Sequence, residues 1–315
     1  MRQPIRISTI DTHTAGGPTR IVLSGLPPLA GATAAERMRD FQTNHDALRK
    51  LLLCEPRGHR GMYGAVVGPP PDATVDLSVF FMTTGGYLPT CVHGAIGVAT
   101  ALIREGTLRP RPDGSLHFDT PGGIMPLTPR FQDGELAEIS LRTPPGAVSD
   151  PHLAIALDGT TIAASAVVCG VTFLLVSAEQ LGRAAALANL EFFVALGPRL
   201  LERAGPGFAL ALFYDRIEGG GFRDVVIGRT GGIDRSPCGA GAGALAIEEW
   251  AAGRLAVGSP LPVTGIIDTR FTARVAEVAG GGAVAEISGS AWITGTHQFT
   301  LADTDPLPEG FDLGR

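Results

Sequence analysis

Hydrophobic and polar positions follow two periods along this chain, and the same succession of periods comes twice. Thr33-Ala34-Ala35-Glu36 is a capping-box pattern, and Met38, Phe41, Leu48, Leu51 and Leu52 follow at helical spacing until Pro56. Residues 62–67 form a short apolar run that predicts a strand. Val75, Leu77 and Val79 alternate with Asp76 and Ser78, which predicts a second strand over residues 74–82. A Gly-rich turn leads to Cys91, and residues 95–105 read as a helix that stops at Gly106.

The second half repeats this order. Residues 191–204 predict a helix, and residues 208–214 and 222–227 predict strands. A Gly-rich turn then reaches Cys238, and a helix is expected from about residue 242 to residue 252, before Gly253. A shift of 147 residues, the separation of the two cysteines, places Cys91 on Cys238, Gly94 on Gly241, Ala95 on Ala242, Ala99 on Ala246 and Gly106 on Gly253. The repeated order predicts an α/β (α+β) chain of two like domains from an ancient duplication. Two such domains facing each other would set the two cysteines on opposite walls of one cleft. Pro144-Pro145-Gly146 breaks both helix and strand and marks a linker. The expected division is residues 1–148 with Cys91 and residues 149–290 with Cys238. A strand-like tail over residues 291–315 is expected to return to the first domain.

Composition narrows the function. With 315 residues, 44% hydrophobic and 18% charged, the chain can bury a sizeable core. A net charge of −6 with no basic run argues against a nucleic-acid partner. No apolar stretch approaches the roughly 20 residues that span a bilayer, and the segment after Met1-Arg2-Gln3-Pro4 lacks a signal-peptide core. A soluble cytoplasmic protein is expected. Its four cysteines, Cys54, Cys91, Cys169 and Cys238, are then thiols, with no CxxC pair. Seven scattered histidines without an HxxxH pair predict no metal. Gly239-Ala240-Gly241-Ala242-Gly243 lacks both the GxGxxG spacing and a phosphate-loop lysine, and no cofactor is expected.

Cys91 in Thr90-Cys91-Val92-His93-Gly94-Ala95 and Cys238 in Asp234-Arg235-Ser236-Pro237-Cys238-Gly239-Ala240-Gly241 each stand at a loop-to-helix junction. There the helix dipole and unpaired N–H groups favour a thiolate. The backbone N–H groups of His93, Gly94, Gly239 and Ala240 are candidates to hold a carboxylate. Inverting a stereocentre by proton transfer needs a base on one face and an acid on the other, and a thiolate–thiol pair supplies both. With no electron-sink cofactor, the carbanion would be stabilised electrostatically. From the residues alone a structural role for each of these two cysteines stays open. Cys54, in an apolar helical run, and Cys169, in an apolar strand, read as core residues. His93 and Asp234 have bland readings too, as a satisfied structural histidine and a turn cap.

These motifs resemble the proline racemase family, which includes 4-hydroxyproline 2-epimerases and trans-3-hydroxy-L-proline dehydratases. Asp11-Thr12-His13-Thr14 with Pro18-Thr19-Arg20 is similar to the family's opening, and Glu55-Pro56-Arg57-Gly58-His59 to a family signature. Gly86-Tyr87-Leu88 leads into the first cysteine motif, Asp234-Arg235-Ser236-Pro237-Cys238-Gly239 is a specific likeness to the second, and Ile287-Ser288-Gly289-Ser290-Ala291 with Ile293-Thr294-Gly295 resembles the close. The resemblance implies a pseudo-symmetric two-domain fold like that of diaminopimelate epimerase, with the site between the domains, in a homodimer. It implies that Cys91 and Cys238 transfer the proton, that His93 and Asp234 contact the imino nitrogen of proline or hydroxyproline, and that Gly94, Gly239 and Ala240 hold the carboxylate. Val92, Ala240 and Gly17 depart from the usual Gly, Thr and Glu. Arg57-Gly58-His59-Arg60-Gly61-Met62-Tyr63-Gly64 and Asp305-Pro306-Leu307 with Gly310-Phe311 look closest to the dehydratase branch, which normally has Thr where this chain has Cys238.

The second thiol favours a two-base epimerase or racemase acting at C2 of 4-hydroxyproline or proline. The alternatives are a trans-3-hydroxy-L-proline dehydratase and a non-catalytic imino-acid binder.

Overall fold

The computed structural model describes residues 5–313. Met1 to Pro4, on which the signal-peptide expectation partly rests, and Gly314 and Arg315 of the expected returning strand lie outside the described residues. The fold is mixed α/β and mostly strand. It divides into two compact units: residues up to Ile139 together with Ser290 onward, and Ser140–Gly289.

The first unit opens with β1 (Ile5–Thr14) and β2 (Gly17–Ser24), followed by α1 (Ala34–Asn44), α2 (Asp46–Leu53), β3 (Tyr63–Gly68), β4 (Leu77–Thr83), β5 (Gly86–Leu88), α3 (Val92–Arg104), β6 (Leu116–Thr120) and β7 (Gly123–Gln132). Next, β8 (Glu135–Arg142) carries the boundary at Ile139. The second unit holds β9 (Ala147–Leu157), β10 (Thr160–Cys169), β11 (Val171–Ser177), α4 (Leu190–Ala204), β12 (Leu210–Arg216), β13 (Phe222–Gly228), α5 (Gly239–Ala251), β14 (Leu261–Thr264), β15 (Arg270–Ala279) and β16 (Gly282–Gly289). The chain then returns to the first unit as β17 (Ala291–Leu301), which pairs antiparallel with β1.

The pairing repeats from unit to unit. In the first, β17–β1 and β1–β2 are antiparallel, β2–β3 parallel, β3–β4 antiparallel, β4–β6 parallel and β6–β7 antiparallel. In the second, β9–β10 and β10–β11 are antiparallel, β11–β12 parallel, β12–β13 antiparallel, β13–β14 parallel and β14–β15 antiparallel. The bounds of α3 and α5 match at the 147-residue shift seen in the sequence.

Each of these two helices is the inner element of its own unit. Helix α3 packs on β1, β2, β3 and β17, and α5 on β9, β10, β11, β15 and β16. Burial explains their composition. Every residue of α3 from His93 to Leu102 is buried, and α5 is buried from Gly241 to Ile247. Strands closing in on all sides leave room mainly for Gly and Ala, with a few larger apolar side chains. Outside these helices, Phe41, Leu51, Leu52, Phe80 and Met82 anchor one core, and Phe173, Phe193, Leu200 and Phe213 are fully buried in the other unit.

The capping box forms as expected, with the Thr33 hydroxyl accepting the Glu36 N–H and the Glu36 carboxylate reaching back to the cap. The single helix expected from there to Pro56 is corrected to two. His45, at φ −137°, ends α1, and Asp46 starts α2. The Asp46 carboxylate accepts from Arg49 and from the Tyr87 hydroxyl, which ties the new helix to β5.

Candidate active site

In the first unit Cys91 is the N-cap residue of α3. Its backbone is extended (φ −153°, ψ 112°), and its carbonyl accepts the Ala95 N–H at 2.9 Å. The helix therefore begins one turn earlier than the sequence suggested, directly after the cysteine. The approach is fixed by the Gly122 N–H, which donates to the Pro89 carbonyl at 3.0 Å. The buried Cys91 sulfur lies 3.6 Å from Nδ1 and 3.8 Å from Nε2 of His93. His93 is itself buried, with Tyr63 edge-on at 4.4 Å between ring centroids. The Thr14 hydroxyl donates to the His93 carbonyl at 2.7 Å, so β1 holds this turn of α3 in place. Gly94 is required for space. A Cβ there would stand 2.9 Å from the Phe81 ring and 3.1 Å from the Cys91 sulfur.

In the second unit Cys238 is the N-cap residue of α5 (φ −68°, ψ 120°), and its carbonyl accepts the Ala242 N–H at 2.7 Å. Its own N–H donates to Oδ2 of Asp224 at 3.3 Å, and the Gly241 N–H donates to its sulfur. Asp234, half-buried in the loop before the helix, hydrogen-bonds the thiol. Gly241 matches Gly94. A Cβ there would approach Leu212 to 2.7 Å and the Cys238 Cβ to 3.0 Å.

The electrostatics correct one expectation. Helix-start placement alone should ease loss of the proton from a thiol. At Cys238 the balance runs the other way. Burial pushes the thiol well above its usual range, and the Asp234 and Asp224 carboxyls push further, against the Gly241 N–H. Burial is also the first cause at Asp224, whose carboxyl is raised well above the ordinary range, with Asp234 adding to it. Cys54 ends α2 and is raised by burial, and Cys169 is pushed up to about 12 for the same reason.

The sequence-predicted residues thus fall into two groups, each at one helix start: Cys91, His93 and Gly94 on α3, and Asp234, Cys238, Gly239 and Ala240 at α5. Sequence reasoning missed Tyr63, Thr14 and Asp224. Thr14 and Tyr63 reach α3 from strands far back in the chain, and Asp224 reaches α5 from the strand just before it, 14 residues from Cys238, proximities that periodicity does not show.

Other motif residues brace the scaffold. Arg20 is buried and ion-paired to Asp11 at 2.7 Å, while its other nitrogen donates to the carbonyls of Leu52 at 2.5 Å and Arg57 at 2.7 Å. Arg57 pairs with Asp305, and the Glu55 carbonyl accepts the Phe311 N–H at 2.8 Å. The signature from Glu55 to His59 is therefore pinned between β2 and the tail of the chain. A hollow of about 320 Å³ in the first unit, lined by Leu26, Leu29, Val66 and Phe80 among others, includes none of the predicted site residues. Among the described residues no group of three or more His, Cys, Asp or Glu is placed to hold a metal, and no helix is long and apolar enough to cross a membrane.

Comparison with known proteins gives the arrangement a family. Residues 9–312 match the family model described as proline racemase. A proline racemase of Clostridioides difficile is 33% identical over 329 residues, covering 98% of this chain and 98% of the relative. A trans-3-hydroxy-L-proline dehydratase of Bacillus thuringiensis subsp. konkukian is 30% identical over 327 residues, again covering 98% of each chain. The crystal structure of a hydroxyproline epimerase from Agrobacterium vitis, with bound trans-4-hydroxy-L-proline, superposes with a TM-score of 0.86 at 26% identity, covering 99% of this chain and 97% of that one. With a family match across nearly its whole length, this chain belongs to the proline racemase family.

Proposed function

We propose that this enzyme is a cofactor-independent epimerase or racemase that inverts C2 of 4-hydroxyproline or proline, with Cys91 and Cys238 as its acid/base pair. The observation that carries the reading is the matched placement of the two thiols. Each is the N-cap of the innermost helix of its unit, each is 8% exposed, and each has a polar partner at its sulfur, His93 for Cys91 and Asp234 for Cys238. A matched thiol in each half is what proton transfer on opposite faces of one carbon requires.

In this reading one sulfur, as thiolate, takes the α-proton, and the other, as thiol, gives a proton to the opposite face. The substrate carboxylate is held by first-turn N–H groups of His93, Gly94, Gly239 and Ala240, which favour an anion and stabilise the charge that spreads onto the carboxylate as the C–H bond breaks. His93 and Asp234 contact the imino nitrogen. We further infer a cytoplasmic homodimer in which the two units supply one cysteine each to a single site.

Dehydration is the second reading, supported by the dehydratase-like segment from Arg57 to Gly64 and by the dehydratase relative. A lyase needs one base at the α-carbon and an acid for the leaving hydroxyl, but no second base opposite the first. Incubating stereoisomers of proline, 4-hydroxyproline and 3-hydroxyproline in D2O and following them by NMR separates the two. We expect the C2 epimer of trans-4-hydroxy-L-proline or proline, deuterated at C2, and its loss by orders of magnitude in Cys91→Ser and in Cys238→Ser. A cyclic imine from trans-3-hydroxy-L-proline, with no exchange at C2 of the other compounds, would overturn the proposal.

A further inference from the structure

We propose that Asp224 is a positioning residue that assigns the resting roles of the two thiols, keeping Cys238 as the protonated acid and leaving Cys91 as the base. The inference rests on the two-cysteine reading above. Asp224 lies in the middle of β13, a strand paired on both sides by β12 and β14, and is 2% exposed. A buried carboxyl is costly to place and needs strong partners. Its partner here is the backbone N–H of Cys238 itself, at 3.3 Å. That N–H belongs to the positive end of α5, where an anion is favoured. Two groups therefore compete for one favourable position for negative charge: the carboxyl of Asp224 and the thiol of Cys238. A carboxylic acid is intrinsically the stronger acid by roughly 4–5 pK units, so it ionises first. Once it has, a thiolate at Cys238 would be a second buried negative charge beside the first, with the Asp234 carboxylate close by.

The groups facing the Asp224 carboxyl come from each neighbouring element. Asp234, from the loop before α5, drives its proton affinity up, and Arg223, on its own strand, draws it down. Arg223 is committed elsewhere, to Asp268 at 2.7 Å and to the Gly265 carbonyl at 3.2 Å. Tyr214 sits across from Asp224 on β12 as a neutral phenol, pushed up to about 12 mainly by burial. The Cys91 sulfur has both ring nitrogens of His93 within 3.8 Å, an N–H donor for a thiolate.

The proton balance follows. The substrate C–H bond breaks and its proton goes to the Cys91 sulfur. The Cys238 S–H bond breaks and its proton forms the new C–H bond on the other face. Product leaves an enzyme with a thiol at Cys91 and a thiolate at Cys238. Loss of a proton to solvent from the first and uptake by the second restores the resting form. The enantiomer whose α-hydrogen faces Cys91 therefore meets an enzyme already in the right protonation state.

The test reads the thiols without turnover, so it is independent of whether the product is an epimer or an imine. Iodoacetamide labelling of the full chain between pH 6 and pH 10.5, with each cysteine peptide quantified by mass spectrometry, gives one profile per thiol. We expect Cys91 to label at lower pH than Cys238. In Asp224→Asn, which keeps an oxygen for the Cys238 N–H but cannot ionise, the Cys238 profile should move to lower pH by at least about one unit, a tenfold rise in rate at fixed alkaline pH, with Cys91 unchanged. Thermal melting supplies a second arm. A carboxyl raised in the folded state favours folding at low pH, and that support fades as pH climbs from the unfolded carboxylate range through the folded value. The Asn variant should therefore melt above the parent at pH 8 and lose that margin near pH 4. A parent enzyme whose Cys238 labels before Cys91, or a folded Asn variant with an unmoved Cys238 profile, would overturn the assignment. If the Asn variant does not fold, the labelling order in the parent still decides.

Discussion

A glycine three residues past a helix-start thiol sets how closely the strand behind can approach. At Gly94 the neighbour is the buried ring of Phe81, which is flat, rigid and packed. At Gly241 it is the far end of the more flexible Leu212 side chain, with the Cys238 Cβ at 3.0 Å. Replacing Gly by Ala in a helix favours folding by about 1 kcal/mol through propensity, whereas overpacking a core costs about 1–3 kcal/mol. The two effects oppose each other, and the stiffness of the neighbour decides. We expect Gly94→Ala to be net destabilised by about 1–2 kcal/mol and to lose most C2 exchange, because the new methyl also crowds the Cys91 sulfur. Gly241→Ala should be nearly neutral in stability. Urea unfolding and deuterium exchange at C2 measure both quantities. A Gly94→Ala protein as stable and as active as the parent would show that Phe81 yields and that the close approach is unimportant. At this scale the two cysteines, His93 and Asp234 were legible in the sequence, because a helix start leaves a local signal in Gly and Ala spacing. Asp224 was not. It reads as one of two adjacent polar positions, with Arg223, in the strand at residues 222–227, and its meaning comes from pairing with a residue 14 positions later.

Helices and strands show where local signals hold and where neighbours override them. The capping box at Thr33 was legible because both halves of it lie within four residues, whereas the break at His45 depends on Asp46 finding Arg49 and Tyr87. The Glu36 carboxyl at this cap is held below the usual carboxylate range, first by the Thr33 N–H and then by the Ala32 N–H and the Thr33 hydroxyl. A carboxyl lowered in the folded state adds stability above its unfolded value, and that addition disappears as pH falls through the folded value. Thr33→Ala removes the hydroxyl half of the box and should cost about 1 kcal/mol at neutral pH, with activity unchanged. Denaturant midpoints at pH 7 and pH 3 check this, the difference between variant and parent narrowing at the lower pH. An equal loss at both values would place the effect in the bond from the Glu36 N–H to the Thr33 hydroxyl, which does not titrate, rather than in the hydroxyl's contact with the Glu36 carboxylate.

At the scale of the whole molecule, the most consequential element is the last. Strand β17 pairs with β1 from Ile5 against Leu301 to Thr14 against Ala291, and α3 packs on it. It also supplies Trp292, stacked on His13 at 5.1 Å, and Phe299, whose ring lies 4.2 Å beneath the Arg20 guanidinium. Arg20 in turn carries the buried pair with Asp11 and braces the Glu55–Pro56–Arg57 signature. The first unit is therefore assembled from both ends of the chain, while the second is one continuous segment. The 147-residue repeat and a strand-like tail returning to the first unit were legible in the sequence, but the equivalence of β17 and β9 was not, since the two strands enter from different places in the chain. We expect a chain ending at Gly289 to lose the first unit selectively. Removing β17 leaves β1 as an unpaired edge, exposes apolar residues of α3, and leaves the Arg20–Asp11 pair without its cover. Hydrogen exchange should then show peptides of β1, β2 and α3 close to unprotected, with β11, β12, β13 and α4 still protected, and Cys91 labelling as fast as an unfolded thiol. Native-like protection across α3 in the truncated chain would mean that the first unit folds from its N-terminal segment alone. The returning strand would then be an accessory to the Cys91 helix rather than part of what holds it.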